Sequence, residues 1–164
     1  SGWKEYSEKG LKIIYAVDEV AGLPVHSGRR VAWLGGFLNE TSYIEQRVTV
    51  PADKPYLTFY YVIISDDACG NDKGGVLIDS VTRDVIDLCR ATTSRAWQRR
   101  VIDLSAYAGR VVTLQLRART NGSLNSNLFI DDVSFSASGM AREEGVPVGV
   151  DWAGDRVTRQ KPAR

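Results

Sequence analysis

The chain has little of what most active sites need. Its 164 residues include one histidine, His26, and two cysteines, Cys69 and Cys89. That excludes a cysteine-rich zinc centre and leaves a thin supply of nucleophiles and bases. There is no excess charge of either sign: 21 basic side chains stand against 20 acidic ones, a net of +1. Such a balance supplies no field for gathering DNA, RNA or an anionic lipid surface. No apolar run approaches the ~18 residues that a membrane span requires. No signal peptide is visible in this stretch of sequence either. The opening Ser1-Gly2-Trp3, without methionine, reads as a processed or excised module whose targeting information lies elsewhere.

What is present is a globular composition, 43% apolar and 25% charged, in a chain long enough for one domain with a real core. About nine short apolar runs rich in β-branched and aromatic residues follow one another: 11–17, 30–34, 43–50, 57–65, 75–79, 84–89, 97–104, 111–120 and 128–135. Gly, Asn, Asp, Ser or Pro separates most of them, and no long 3.6-residue period intervenes. This predicts an all-β sandwich or barrel. The segment 105–109 reads as one helical turn or tight loop.

Alternation is clearest in 111–120. Val112, Leu114, Leu116 and Ala118 fall on one face, and Thr113, Gln115, Arg117 and Arg119 on the other, predicting a core face and an exposed face. In 57–65 both sets are apolar or aromatic, as expected of a central strand covered on both sides. After Phe135 the composition turns to glycine, proline and scattered charge. Residues 1–137 therefore read as the domain, and 138–164 as a tail or linker, docked on the sandwich through Val146, Val148, Val150 and Trp152.

Cys69 and Cys89 each close a strand-like run, with a polar, Gly-containing stretch between them. A disulfide is sterically reasonable if those runs are neighbours. Two unrelated buried thiols are the other reading.

Several strings then occur in a telling order: His26-Ser27-Gly28, Ile44-Glu45-Gln46-Arg47-Val48-Thr49-Val50-Pro51, Leu57-Thr58-Phe59-Tyr60-Tyr61, Trp97, Asp103-Leu104-Ser105-Ala106-Tyr107-Ala108-Gly109 and Phe129-Ile130-Asp131-Asp132-Val133. Over residues 1–137 the chain resembles the galactose-binding-like and MAM-like jelly-roll modules, akin to carbohydrate-binding modules, that are appended to secreted bacterial proteases, glycoside hydrolases and cell-surface proteins. The resemblance implies a jelly roll of two antiparallel sheets and, from Cys69 and Cys89, the disulfide-bearing extracellular version. It also implies a structural Ca²⁺ held by Asp131 or Asp132, with Ser27 and Asp18 or Glu19 adding oxygens.

Other acidic residues invite plainer readings. Asp66, Asp67, Asn71 and Asp72 resemble a calcium loop only loosely, without the EF-hand spacing, and an ordinary solvated turn accounts for them more cheaply. Glu40, Glu45, Asp79 and Asp103 are spread too widely to be assigned as a glycosidase pair. Ser27 beside His26 lacks any further sign of a hydrolase triad. For recognition, the expected ligand-binding residues are Tyr60 with the row Gln115, Arg117 and Arg119, provided their strands share a sheet. The loop residues Phe37, Asn39 and Tyr43 offer a second surface. The sequence thus predicts a non-catalytic accessory module of a larger secreted or cell-surface protein, recognising a glycan or an extracellular protein surface and flanked by other domains. A structural spacer between domains is the alternative.

Overall fold

A computed structural model describes residues 2–139 and the backbone of 146–147. The described residues form eleven strands: β1 (Lys4–Ser7), β2 (Ile14–Ala16), β3 (Arg30–Gly35), β4 (Thr41–Thr49), β5 (Tyr56–Ser65), β6 (Asp72–Ile78), β7 (Val81–Leu88), β8 (Gln98–Asp103), β9 (Val111–Arg119), β10 (Ser126–Ser136) and β11 (Val146–Pro147). Single 3-10 turns occupy Arg90–Thr92 and Ser105–Tyr107, the second where the sequence predicts a helical turn.

The strands divide into two antiparallel sheets. The first runs β1-β4-β9-β6-β7; the second runs β2-β3-β10-β5-β8, with β11 beside the end of β10. Neighbours are mostly distant in sequence, so each sheet is closed by crossovers that pass over the ends of the sandwich. The β6–β7 hairpin is the local exception. Asp79 and Ser80 take φ of +48° and +69° between the paired Ile78 and Val81, the two-residue turn whose twist suits antiparallel strands.

The alternation read in β9 is realised. Val112, Leu114, Leu116 and Ala118 are at most 1% exposed and meet Leu57, Phe59 and Ile63 of β5 and Leu128, Ile130 and Val133 of β10 in the main core. β5 is covered on both sides over part of its length, as predicted, because a second, smaller cluster lies on the outer face of its sheet. There Val31, Trp33, Val62 and Phe129 are buried with Leu23, and Tyr15, Val25 and Trp97 pack against them. Trp33 is fully buried in this cluster, its indole N–H donating to Asn127 Oδ1 at 2.9 Å.

Two departures from the sequence reading concern the N-terminal strands. β1 was not anticipated: it is a polar edge strand on β4, and its Glu5 carboxylate accepts the N–H groups of Ile13 and Ile14 at 2.8 and 2.9 Å. With those backbone donors taken by a side chain, the run expected over 11–17 shortens to β2. Of the tail, only Ser138, Gly139 and β11 fall within the described residues, and β11 pairs Val146 with Phe135 and Pro147 with Ser134. The expected docking of Val148, Val150 and Trp152 lies outside them.

Candidate functional site

The outer face of the first sheet collects the polar half of β9. Register sets Tyr43 of β4, Arg117 of β9, Gly75 of β6 and Val85 of β7 side by side. The row Thr41, Arg119, Lys73 and Asp87 runs parallel to it, and on the other flank Glu45 faces Gln115, which faces Leu77. Gly75 forms a floor with no side chain. A Cβ there would stand 2.4 Å from the Asp84 carbonyl oxygen, so the close approach of β7 at its bulge requires glycine. Above this floor opens a groove of about 370 Å³, walled by Arg117 and Arg119 on one side and Thr82 and Val85 on the other.

The cations in the groove differ in their pairing. Lys73 donates to Asp87 at 2.9 Å, and this bond, with the Gly70 N–H, holds the Asp87 carboxyl below its ordinary range. Arg117 and Arg119 form no ion pair among the described residues. Burial, and then the neighbouring Arg119, lower the proton affinity of Arg117, although a guanidinium stays charged at any physiological pH. Gln115 is committed within the sheet, its Nε2 donating to Glu45 Oε2 at 2.8 Å. Next to Arg117, Tyr43 stacks on Tyr6 with ring centroids 4.7 Å apart and planes within 15°, extending the face as an aromatic shelf.

Tyr60 does not join this row. It belongs to β5 in the other sheet, so the condition that would unite it with Gln115, Arg117 and Arg119 is not met. Its ring stacks on His26 at 3.6 Å, and Trp97 meets His26 edge-on at 5.7 Å. The aromatic beside the arginines is Tyr43, which lies in β4 rather than in a loop. The outward set Thr41, Tyr43, Glu45, Arg47 and Thr49 was visible in the alternation of 41–49; the adjacency of β4 to β9 was not.

At the residues expected to hold calcium, Asp131 is fully buried on β10 beneath the turn at His26. Its Oδ2 accepts the N–H groups of His26 and Ser27, both at 3.1 Å, and its Oδ1 accepts the N–H of Asp132 at 2.7 Å. Burial, and secondarily the charge of Asp132, push the Asp131 carboxyl up to about 8. Asp132 takes φ of +49° at a bulge in β10, which turns its carboxylate to the His26 imidazole and the Ser27 hydroxyl. Asp18 is exposed in the turn 17–19, outside this cluster; Glu19, beside it, is paired with Lys12. Calcium needs converging acceptor oxygens. The groups turned on Asp131 and Asp132 are peptide N–H, hydroxyl and imidazole, so this set fits a hydrogen-bonded lock on the turn and does not fit a cation.

The remaining acidic candidates serve separate parts of the scaffold. Glu40 accepts the Ser7 hydroxyl and the Glu8 N–H; Asp79 accepts the Thr113 N–H; Asp103 accepts the Ser105 N–H. Cys69 and Cys89 form a disulfide with Cα atoms 4.8 Å apart. Their sulfurs lie near Asp87, but as a disulfide they supply no thiolate for a metal.

Two packed antiparallel sheets with crossover connections define a jelly-roll β-sandwich, here with one open, polar, partly aromatic face. Solved structures agree on this fold. The K2 cleaved adhesin domain of Lys-gingipain is similar over 84% of this chain and 90% of its own, with a TM-score of 0.59 at 17% identity. The K1 adhesin domain of Lys-gingipain from Porphyromonas gingivalis W83 matches over 85% and 92%, with a TM-score of 0.57 at 15% identity. The module TmCBM61, solved in complex with β-1,4-galactotriose, matches over 81% and 86%, with a TM-score of 0.54 at 16% identity. No family model matches the sequence, and no curated protein matches it.

Proposed function

We propose that this chain is a non-catalytic recognition module of a secreted or surface-exposed protein, and that the outer face of its first sheet is where it meets a glycan. The observation that carries the reading is the groove over Gly75, where Arg117 and Arg119 stand without ion-pair partners among the described residues, beside the Tyr43–Tyr6 shelf. Planar donors suit sugar hydroxyls and carboxylates, and a tyrosine face suits the apolar side of a pyranose ring. The fold shared with adhesin domains and with a galactotriose-binding module supports the same class of ligand by analogy. The Cys69–Cys89 disulfide favours an oxidising compartment. No helix among the described residues is long and apolar enough to cross a membrane. Such a module raises the local concentration of whatever it is joined to, without chemistry of its own.

The test is a glycan array probed with the wild-type chain, followed by titration of any hit. Arg117→Ala and Tyr43→Ala are each expected to weaken binding by about tenfold or more while lowering the melting temperature only slightly. If no glycan binds, and the same face is instead protected from hydrogen exchange by the neighbouring domains of the parent protein, the module is a spacer.

A further inference from the structure

The loop joining β5 to β6 runs past Asp66, Asp67, Cys69 and Asn71 into Asp72, and its sequence reads as a solvated turn. The structure differs sharply at two of these positions. Asp67 is 2% exposed and Asp72 is wholly buried. Each carboxylate has one oxygen satisfied. Asp67 Oδ1 accepts the Ala68 N–H at 2.8 Å and Asn71 Nδ2 at 3.2 Å; Asp72 Oδ1 accepts the Asn121 N–H at 2.7 Å. The second oxygen of each, Oδ2, is buried and accepts no hydrogen bond of normal geometry among the described residues, and the same holds for Asn125 Oδ1.

These three orphan oxygens belong to one end of the sandwich. The loop 121–125 is tied to the acidic loop by the Asp66 N–H, which donates to the Asn125 carbonyl at 3.1 Å, and by the bond from Asn121 to Asp72. The Ser126 hydroxyl lies against the Asp72 carboxylate, yet burial and the charge of Asp67 still raise that group above its ordinary range. Nearby cations are engaged elsewhere. Arg90 donates its guanidinium to the Asp66 carbonyl at 3.0 Å and its N–H to the Asp67 carbonyl at 2.9 Å, while Lys73 is held by Asp87. Among the described residues no ion pair reaches Asp67 or Asp72.

Buried carboxylate oxygens with neither donor nor counter-charge are costly, and two of them near one another are more so. The donor set is hard and entirely oxygen: two carboxylates and one amide carbonyl, contributed by two loops of irregular backbone. Calcium tolerates such irregular coordination, with water and peptide carbonyls completing six to eight positions, whereas magnesium demands near-octahedral geometry. We propose that Asp67, Asp72 and Asn125 form a calcium site at the loop that the Cys69–Cys89 disulfide anchors. A hollow of about 410 Å³ lined by Asp67, Cys69, Arg90 and Leu124 gives this loop an open side. The disulfide and the ion then clamp the same excursion, one by covalent closure and one by charge. This proposal is independent of whether the sheet face binds a glycan.

The full chain, stripped with chelator and dialysed into metal-free buffer, is titrated with CaCl₂ by calorimetry and melted with and without the ion. Expected are one equivalent bound and a rise in melting temperature of about 5–10 °C at a hundredfold excess over Kd. Asp67→Asn and Asp72→Asn, each close in shape to the native residue, are expected to weaken binding by about tenfold or more, and Asp132→Asn to leave it unchanged. Should Asp72→Asn fail to fold, Asp67→Asn and Asn125→Ala carry the comparison. The proposal is overturned by absence of both heat and melting shift. It is equally overturned by binding that survives Asp67→Asn and Asp72→Asn but is lost in Asp132→Asn, which would put the ion at the His26 turn.

Discussion

Arg100 and Asp84 join the two sheets at their open edge. Arg100 of β8 donates from Nε and from one terminal nitrogen to the two carboxylate oxygens of Asp84 in β7, both at 2.8 Å, and donates again to the Val85 carbonyl at 3.1 Å. β7 and β8 are edge strands of different sheets, so this fork bridges the sandwich along one edge. Hydrogen bonding to Asp84 raises the proton affinity of Arg100. Arg100→Ala is expected to cost ~1–2 kcal/mol, since a paired and partly buried bidentate contact is lost and Asp84 is left alone. A thermal melt should fall by ~2–8 °C. Arg100→Lys should recover only part of this, because an ammonium cannot reproduce the planar fork.

The buried carboxyl of Asp131 makes stability depend on pH. Its pKa in the fold is about 8, against ~3.9 in an unfolded chain. Between those values the folded state holds a proton that the unfolded state has released, so stability falls as pH rises. The contribution is fully present below ~4 and is lost as pH passes through the folded value, with a slope of at most ~1.4 kcal/mol per pH unit. Melting curves of chelator-treated protein between pH 5 and 8 should therefore decline. Asp131→Asn should flatten that decline, while lowering stability at pH 5 by ~1–3 kcal/mol because its amide opposes the Asp132 N–H. An unchanged slope in the variant would assign the titration to another group.

Tyr60 and Tyr43 should behave in opposite ways. The Tyr60 ring is stacked on His26, so Tyr60→Ala is expected to loosen the turn and cost ~1–3 kcal/mol, with no direct effect on ligand at the other sheet. Tyr43→Ala removes a half-exposed shelf beside Arg117 and its stack on Tyr6, a smaller cost of about 0.5–1.5 kcal/mol. A paired measurement of melting temperature and glycan affinity on both variants separates the two roles.

Reducing the disulfide should be felt throughout the domain. Cys69 and Cys89 are 20 residues apart, a loop whose closure is worth ~3 kcal/mol by the chain-entropy account. The Cys69→Ser/Cys89→Ser variant is expected to melt ~6–12 °C lower, and the drop should be larger in calcium-free buffer if the ion and the disulfide share one loop.

Much of the scaffold was legible because it is written locally. Val112, Leu114, Leu116 and Ala118 declare their face by alternation, and the apolar content of 57–65 on both faces declares a covered central strand. The Ser105–Tyr107 turn follows from a short polar interruption between apolar runs. What was not legible depends on strand order. That β4 lies beside β9, and β5 across the sandwich from it, sends Tyr43 rather than Tyr60 to Arg117, and no period in one sequence encodes that choice. The edge strand β1 escaped because Lys4-Glu5-Tyr6-Ser7 is too polar to announce a buried face. Asp67 and Asp72 read as solvent-facing because charge normally is. The loop 121–125, tied to Asp72 through Asn121 and to Asp66 through Asn125, helps to cover them.

The turn that caps the second sheet gives the molecule a front and a back. With Leu23, Val25 and His26 laid over Trp33, Tyr60 and Phe129, the outward side chains Tyr60, Val62 and Phe129 are tied into packing, and changes there fall on stability. Those of β4 and β9, from Thr41 to Thr49 and from Thr113 to Arg119, stand on the other side of a closed core. Substitutions on that face can alter what the module meets at little cost to folding, so one scaffold can be turned to different surfaces by rewriting a handful of outward positions.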